Sequence, residues 1–181
     1  MFPKIFLETE ADSLESRAKK ASDIIDRQVT RLYPEYISCV ASFLFHSKTV
    51  DYVISVGDVV TLLWNGKNWY KPKEIHDYQL NPKKYPSNVS CFFGRGELKG
   101  KPPYSAEPDV AILSSGTPVI IATDGIKDVL KLHDINKIVG NPSGQAPKKI
   151  IEKLLTEIKK RKKFQKDDIS ILLRISSSVP I

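Results

Sequence analysis

The chain has 181 residues, 41% of them hydrophobic, a formal net charge of +7 and a pI near 9.3. That length suits one domain, 1–181, with a core of its own, and no apolar run approaches the length of a membrane span. Met1 to Glu8 is too short and too poor in apolar residues for a secretory signal, and Cys39 and Cys91 have no paired spacing, so the expectation is a reduced, cytoplasmic protein without a disulfide framework.

In chain order, the first predicted element is a helix from Asp12 to Leu32. Leu14, Ala18, Ala21, Ile24, Ile25, Val29 and Leu32 fall on one face of it. Asp12 and Glu15 have capping-box spacing, and Pro34 ends the helix. Strands follow at about 38–45, 50–56 and 58–64. Asn65-Gly66 signals a two-residue hairpin turn joining Val59–Trp64 to Lys67–Lys71. Residues 72–106 hold many of the prolines and read as loop. Strands return at about 107–113 and 117–122, and two short helical pieces follow near 126–130 and 133–139. Pro147 starts the last long helix, whose buried stripe is Ile150, Ile151, Leu154, Leu155 and Ile158. Ile169 to Ile175 is the final strand. Early strands, one hairpin and flanking amphipathic helices predict an α+β fold with antiparallel sheets.

Three strand ends deliver aspartates. Val119, Ile120, Ile121 and Ala122 are a buried-strand run that stops at Asp124 and Gly125. The glycine is expected to let the backbone turn sharply. Asp128 follows four residues later, on the same face as Asp124 if Gly125 opens a helical turn. Val53-Ile-Ser-Val-Gly-Asp58 repeats the pattern, and Asp167 and Asp168 stand just before the last strand. Carboxylates of this kind suit a hard cation such as magnesium or manganese. Aspartates are also common in ordinary turns, so one such motif alone carries little.

The order of the motifs carries more. Ser38-Cys-Val-Ala-Ser-Phe-Leu-Phe45, Val56-Gly-Asp58, Asn88-Val-Ser-Cys-Phe-Phe-Gly94, Glu107-Pro-Asp-Val110, Ala122-Thr-Asp-Gly-Ile-Lys-Asp128 and Lys166-Asp-Asp-Ile-Ser170 follow one another. In that order they resemble the protein phosphatase 2C family, the PPM-type metal-dependent serine/threonine phosphatases, over about residues 12 to 176. The Thr-Asp-Gly and Asp-Asp-Ile-Ser segments are the specific ones. The resemblance implies an αββα sandwich of antiparallel sheets flanked by helices. It also implies two Mg2+ or Mn2+ ions that lower the pKa of a water, and in-line attack on the phosphorus of phosphoserine or phosphothreonine. Asp124 and Asp167 would ligate the core metal. Asp58 and Asp128, with Asp124 beside Gly125, match a weaker additional site. Asp168 stands where the family usually has asparagine.

The family's Arg-x-x-Asn-Glu-Asp strand and Asp-Gly-His-Gly-Gly hairpin are absent from these residues. By the resemblance the first supplies a phosphate-gripping arginine and the second the aspartate that bridges the metals. The sequence therefore looks like the family's C-terminal two-thirds, truncated at the N-terminus. A gene fragment, half of a split protein and a degenerate paralogue are all open readings. So are an enzyme inactive on its own and a catalytically inactive binding or regulatory domain. The implied partners are a phosphoprotein substrate, a protein partner, or a second chain or dimer mate covering sheet edges left exposed.

The remaining features read as structural. Lys159-Lys-Arg-Lys-Lys163, with Lys148, Lys149 and Lys153 nearby, is taken as the solvated end of a helix rather than a nucleic-acid patch or a dock for acidic partners. No aromatic residues interleave with it. His46, His76 and His133 read as surface histidines, Cys39 as a small core residue, and Trp64 and Trp69 as a cross-strand pair. There is no nucleophile elbow, P-loop, Gly-x-Gly-x-x-Gly or Cys-x-x-Cys.

Overall fold

The computed structural model describes residues 1–32, 38–46, 49–72, 93–94, 108–161 and 168–175. In chain order the elements are α1 (Phe2–Glu8), α2 (Leu14–Leu32), β1 (Ser38–Cys39), β2 (Ala41–His46), β3 (Val50–Val56), β4 (Val60–Trp64) and β5 (Trp69–Tyr70). Then come β6 (Phe93–Gly94), β7 (Asp109–Ser114), β8 (Val119–Ala122), α3 (Ile126–Val129), α4 (Leu132–Val139), α5 (Pro147–Lys160) and β9 (Ile171–Arg174). The α+β class with antiparallel sheets is as expected. Of the described residues, those up to Phe45, Tyr52–Asp58 and those of 93–112 form one compact unit, and His46–Asp51, 59–72 and 113–175 form another. No helix among them is long and apolar enough to cross a membrane.

In the first unit, α2 carries the amphipathic face read from its sequence. Ala18 and Ala21 are fully buried and Ile25 nearly so, while Leu32, expected on that face, is 62% exposed at the frayed end. These small side chains let the helix pack close to Ile54 and Val56 of β3. Phe6 joins them, with its ring 4.6 Å from Phe45 and the Arg17 guanidinium 5.9 Å above it. The helix α1 that brings Phe6 has no periodic sequence signal, being only seven residues long. The expected Asp12–Glu15 box is not what starts α2. Ser13 does so, its Oγ accepting the Ser16 N–H at 3.1 Å. The expected strand over 38–45 is split. Residues Ser38–Cys39 pair antiparallel with Phe93–Gly94, a strand inside the stretch read as loop, whereas β2 belongs to the sheet β2-β3-β7.

The second unit is built on the antiparallel sheet β5-β4-β8-β9. Central β8 buries Val119, Ile120 and Ala122, which is why its sequence is an unbroken apolar run. Ile150, Leu154 and Ile158 of α5 and Ile135 and Val139 of α4 complete a core with Leu62, Ile120 and Ile126, whereas Leu155, expected in the α5 stripe, is 41% exposed. Each such side chain contributes about 1.5–3 kcal/mol by burial. Pro147 does open α5.

The β4–β5 hairpin differs from its expectation. Leu63 pairs with Tyr70 and Trp64 with Trp69, leaving four residues, 65–68, in the loop. Asn65 Oδ1 accepts the N–H groups of Lys67 and Asn68 at 3.0 and 2.8 Å, so the asparagine side chain closes the longer turn. Gly66, at φ 91°, supplies the left-handed residue it needs. The Trp64–Trp69 pair forms as expected, with centroids 5.6 Å apart. Trp69 is tied further by α4. Asn136 Oδ1 accepts the Trp69 N–H at 2.6 Å, and Asn136 Nδ2 donates to the Trp69 carbonyl at 2.9 Å. The side-chain amide stands in for a neighbouring strand.

Candidate metal centre

The C-terminal end of β8 and the N-terminal end of β9 lie side by side, because Ala122 pairs with Ile171. Just beyond that pair, Thr123 binds the two segments together. Its N–H donates to the Ser170 carbonyl at 3.1 Å, its Oγ1 donates to the Asp168 carbonyl at 2.9 Å, and the same Oγ1 accepts the Ser170 N–H at 2.9 Å. The residues on either side of this clasp are Asp124 and Asp168. Their backbones are thus fixed at one edge of the sheet before any ion is considered.

After Asp124 the chain turns into α3. The Lys127 N–H reaches the Asp124 carbonyl at 2.7 Å and the Asp128 N–H reaches the Gly125 carbonyl at 3.3 Å. The helical turn expected at Gly125 therefore forms, with Asp124 and Asp128 at the four-residue spacing that puts side chains on one side. Gly125 itself corrects the sequence reading. Its φ of −51° and ψ of −22° are ordinary right-handed values, so backbone freedom is not why glycine stands there. It is buried under the turn.

Of the other candidates, Asp167 lies outside the described residues, as do Glu107 and the 88–92 motif. Asp58 follows Gly57 in the turn after β3 and belongs to the first unit. Asp124, Asp128 and Asp58 are half-buried. Oxygen donors of this kind fit a hard cation. In number the set is incomplete: among the described residues no group of three His, Cys, Asp or Glu side chains stands close enough to hold a metal.

A second charged cluster, which the sequence reading missed, sits at the opposite end of the β8–β9 ladder. Arg174 pairs with Val119, the first residue of β8. Its Nη2 donates to Asp51 Oδ2 at 2.6 Å and to the Thr117 carbonyl at 2.6 Å. Asp51 is fully buried. It also accepts the Gly116 N–H at 2.7 Å, and its Oδ1 lies 2.6 Å from His46 Nδ1. Gly116, at φ 82°, has the left-handed conformation that an L side chain rarely adopts. Burial by itself pushes the Asp51 carboxyl up. The hydrogen bonds from Arg174, His46 and Gly116, with the guanidinium charge, overcome it and hold the pKa lowered to about 2. With the carboxylate ionised, His46 Nδ1 carries the proton and donates. Arg174 Nη1, 3.5 Å from the same nitrogen, then finds no lone pair there. The His46 ring is 66% exposed, a surface histidine as expected, but one anchored to a buried carboxylate. His133 is 80% exposed. A signal was present: Asp51 and Arg174 are each the lone charge in an apolar strand.

No family model matches the chain, and no curated relative does. Solved structures do. A serine/threonine phosphatase of S. agalactiae superposes with a TM-score of 0.65 at 14% identity, over 92% of this chain and 73% of that one. A serine-threonine phosphatase 2C from Toxoplasma gondii gives a TM-score of 0.56 at 16% identity, over 96% and 74%. A sex-determining protein of C. elegans gives 0.62 at 16% identity, over 96% of this chain and 51% of its own, so the chain spans about half of that protein. At these identities the likeness is one of fold.

Proposed function

From the premise of a chain with the fold of the protein phosphatase 2C-type serine/threonine phosphatases, we propose a metal-dependent phosphatase-like domain, with Asp124 at the centre of its ion site. In this reading Asp124 and Asp167 hold the principal Mg2+ or Mn2+, and Asp58 and Asp128 add a weaker position next to Gly125. Asp58 and Asp167 enter only through their places in the Val-Gly-Asp and Asp-Asp-Ile-Ser motifs. The observation that carries the reading is the Thr123 clasp, which fixes Asp124 beside the segment that starts β9. The ion, when bound, supplies Lewis-acid polarisation for hydrolysis of a phosphoserine or phosphothreonine ester. The protein's part is to present carboxylate oxygens on a backbone already hydrogen-bonded in place, so little ordering is left for the binding step.

These 181 residues contain no Asp-Gly-His-Gly-Gly segment. That favours a second form of the reading, in which the chain alone binds an ion without turning over substrate and acts as an inactive binding or regulatory domain until the motif is supplied. Two measurements test the reading, and the second separates its two forms. Manganese should raise the melting temperature by mass action, and Asp124→Ala should abolish the rise. An equal rise in the variant would place the ion elsewhere. Hydrolysis of p-nitrophenyl phosphate in manganese should be no faster for the chain than for Asp124→Asn, and a fused or added Asp-Gly-His-Gly-Gly segment should restore it. Robust turnover by the chain alone, lost in Asp124→Asn, would mean that another residue replaces the bridging ligand.

A further inference from the structure

The basic run is not uniformly solvated. Arg161 is drawn into the fold: its Nη1 lies 3.0 Å from Asp134 Oδ2 and its Nε donates to Glu157 Oε1 at 3.1 Å. That leaves the lysines of α5 as a separate feature. Lys149, Lys153 and Lys160 line one open groove of about 470 Å³, with Ile138 of α4, Glu152 and Glu157. Lys160 donates to Glu157 Oε2 at 3.1 Å and Lys153 to Gln145 Oε1 at 2.9 Å, while the Lys149 and Glu152 side chains have no partner among the described residues. The groove lies wholly within the second unit.

We infer that this groove docks a short extended peptide segment of a protein partner, acidic at alternate positions and apolar between them. Four residues of helix separate Lys149 from Lys153, about 6 Å along α5. Same-side residues of an extended strand are about 6.6 Å apart, so two alternate carboxylates meet the Lys149 and Lys153 ammonium groups, whereas a third, about 13 Å along, would meet Glu157, about 12 Å from Lys149. From Lys149 to Lys160 is about 16 Å, room for about five extended residues. The mixed lining discriminates. Glu152 and Glu157 repel a nucleic-acid backbone, whose charge recurs every ~1.7 Å, but a peptide with two alternate carboxylates ends its charge short of Glu157. Half-buried Ile138 offers apolar surface to a Val or Leu side chain, and among the described residues no aromatic side chain lines the groove for base stacking. This docking does not depend on the phosphatase reading, since no residue of the aspartate site takes part.

The test is fluorescence anisotropy of a labelled Glu-Val-Glu-Leu peptide with the full chain at low ionic strength. Saturable binding is expected. Lys149→Glu combined with Lys153→Glu should weaken it at least about tenfold, and Glu152→Gln should tighten it about two- to threefold. All three positions are exposed, and circular dichroism with an unchanged melting temperature certifies that the variants fold. A Glu-Ser-Glu-Ser peptide should bind severalfold more weakly. Absence of saturable binding, equal binding by the double variant, equal binding of the serine peptide, or tighter binding of a charge-matched random duplex would each overturn the proposal.

Discussion

The two ends of the β8–β9 ladder treat aspartate in opposite ways. At the Val119–Arg174 end, Asp51 is fully buried and is met by a guanidinium, an imidazole N–H and a backbone N–H. At the Ala122–Ile171 end, Asp124 is half-buried. No cation is bonded to its carboxylate among the described residues, and the order comes from the neutral Thr123 clasp. A carboxylate that serves the fold must be neutralised, because an unpaired buried charge is costly. One that serves a ligand must be fixed through its backbone and left with its oxygens unspent.

The largest expected effect breaks the structural end. Arg174→Met leaves Asp51 buried without its main partner and should cost about 3 kcal/mol or more in urea unfolding. Adding Asp51→Leu should recover most of that. A single variant within about 0.5 kcal/mol of wild type would show that the pair is not the anchor described here.

Acid titration is next. The Asp51 carboxyl goes from an ordinary value of 3.8 to about 2 on folding, so its contribution is complete above the ordinary value and is lost as pH falls through about 2. Stability should drop by about 2 kcal/mol across that window. Asp51→Asn, already destabilised at neutral pH, should show a correspondingly flatter acid limb. Parallel acid limbs for the two proteins would assign the loss to other carboxylates.

The smallest effect probes the other end. Thr123→Val keeps the shape and removes both Oγ1 hydrogen bonds, costing about 1–2 kcal/mol. If the clasp orients Asp124, the manganese-dependent rise in melting temperature should shrink as well, although Thr123 is no ligand. A full rise in this variant would leave the clasp as plain sheet support.

Much of this was legible in the residues. The α+β class, α2 and α5 with their apolar stripes, the Trp64–Trp69 pair and the resemblance to the phosphatase fold follow from periodicity and motif order, which are local properties. The misses share a cause. The two-residue turn at Asn65-Gly66 was overruled by the Leu63–Tyr70 and Trp64–Trp69 register and by the Asn136 amide holding Trp69 from α4. The expected strand over 38–45 was split because its first residues pair with Phe93–Gly94, about 55 residues away, a distance no local pattern encodes.

The sequence by itself determined the long helices α2 and α5, the apolar strands β3, β4 and β8 and which aspartates end a strand, because burial periodicity and turn chemistry act over a few residues. Only the tertiary structure decided how each aspartate is held. Asp51, inside an apolar run, had no role in the sequence reading, and it gains one only from Arg174, 123 residues later, placed against it. Asp124 was legible as the aspartate of the Thr-Asp-Gly motif, but the hydrogen bonds by which Thr123 ties it to the segment 45 and 47 residues further on were not. Charge acquires a role from burial and from its partner, and both are set by contacts between residues far apart in the chain.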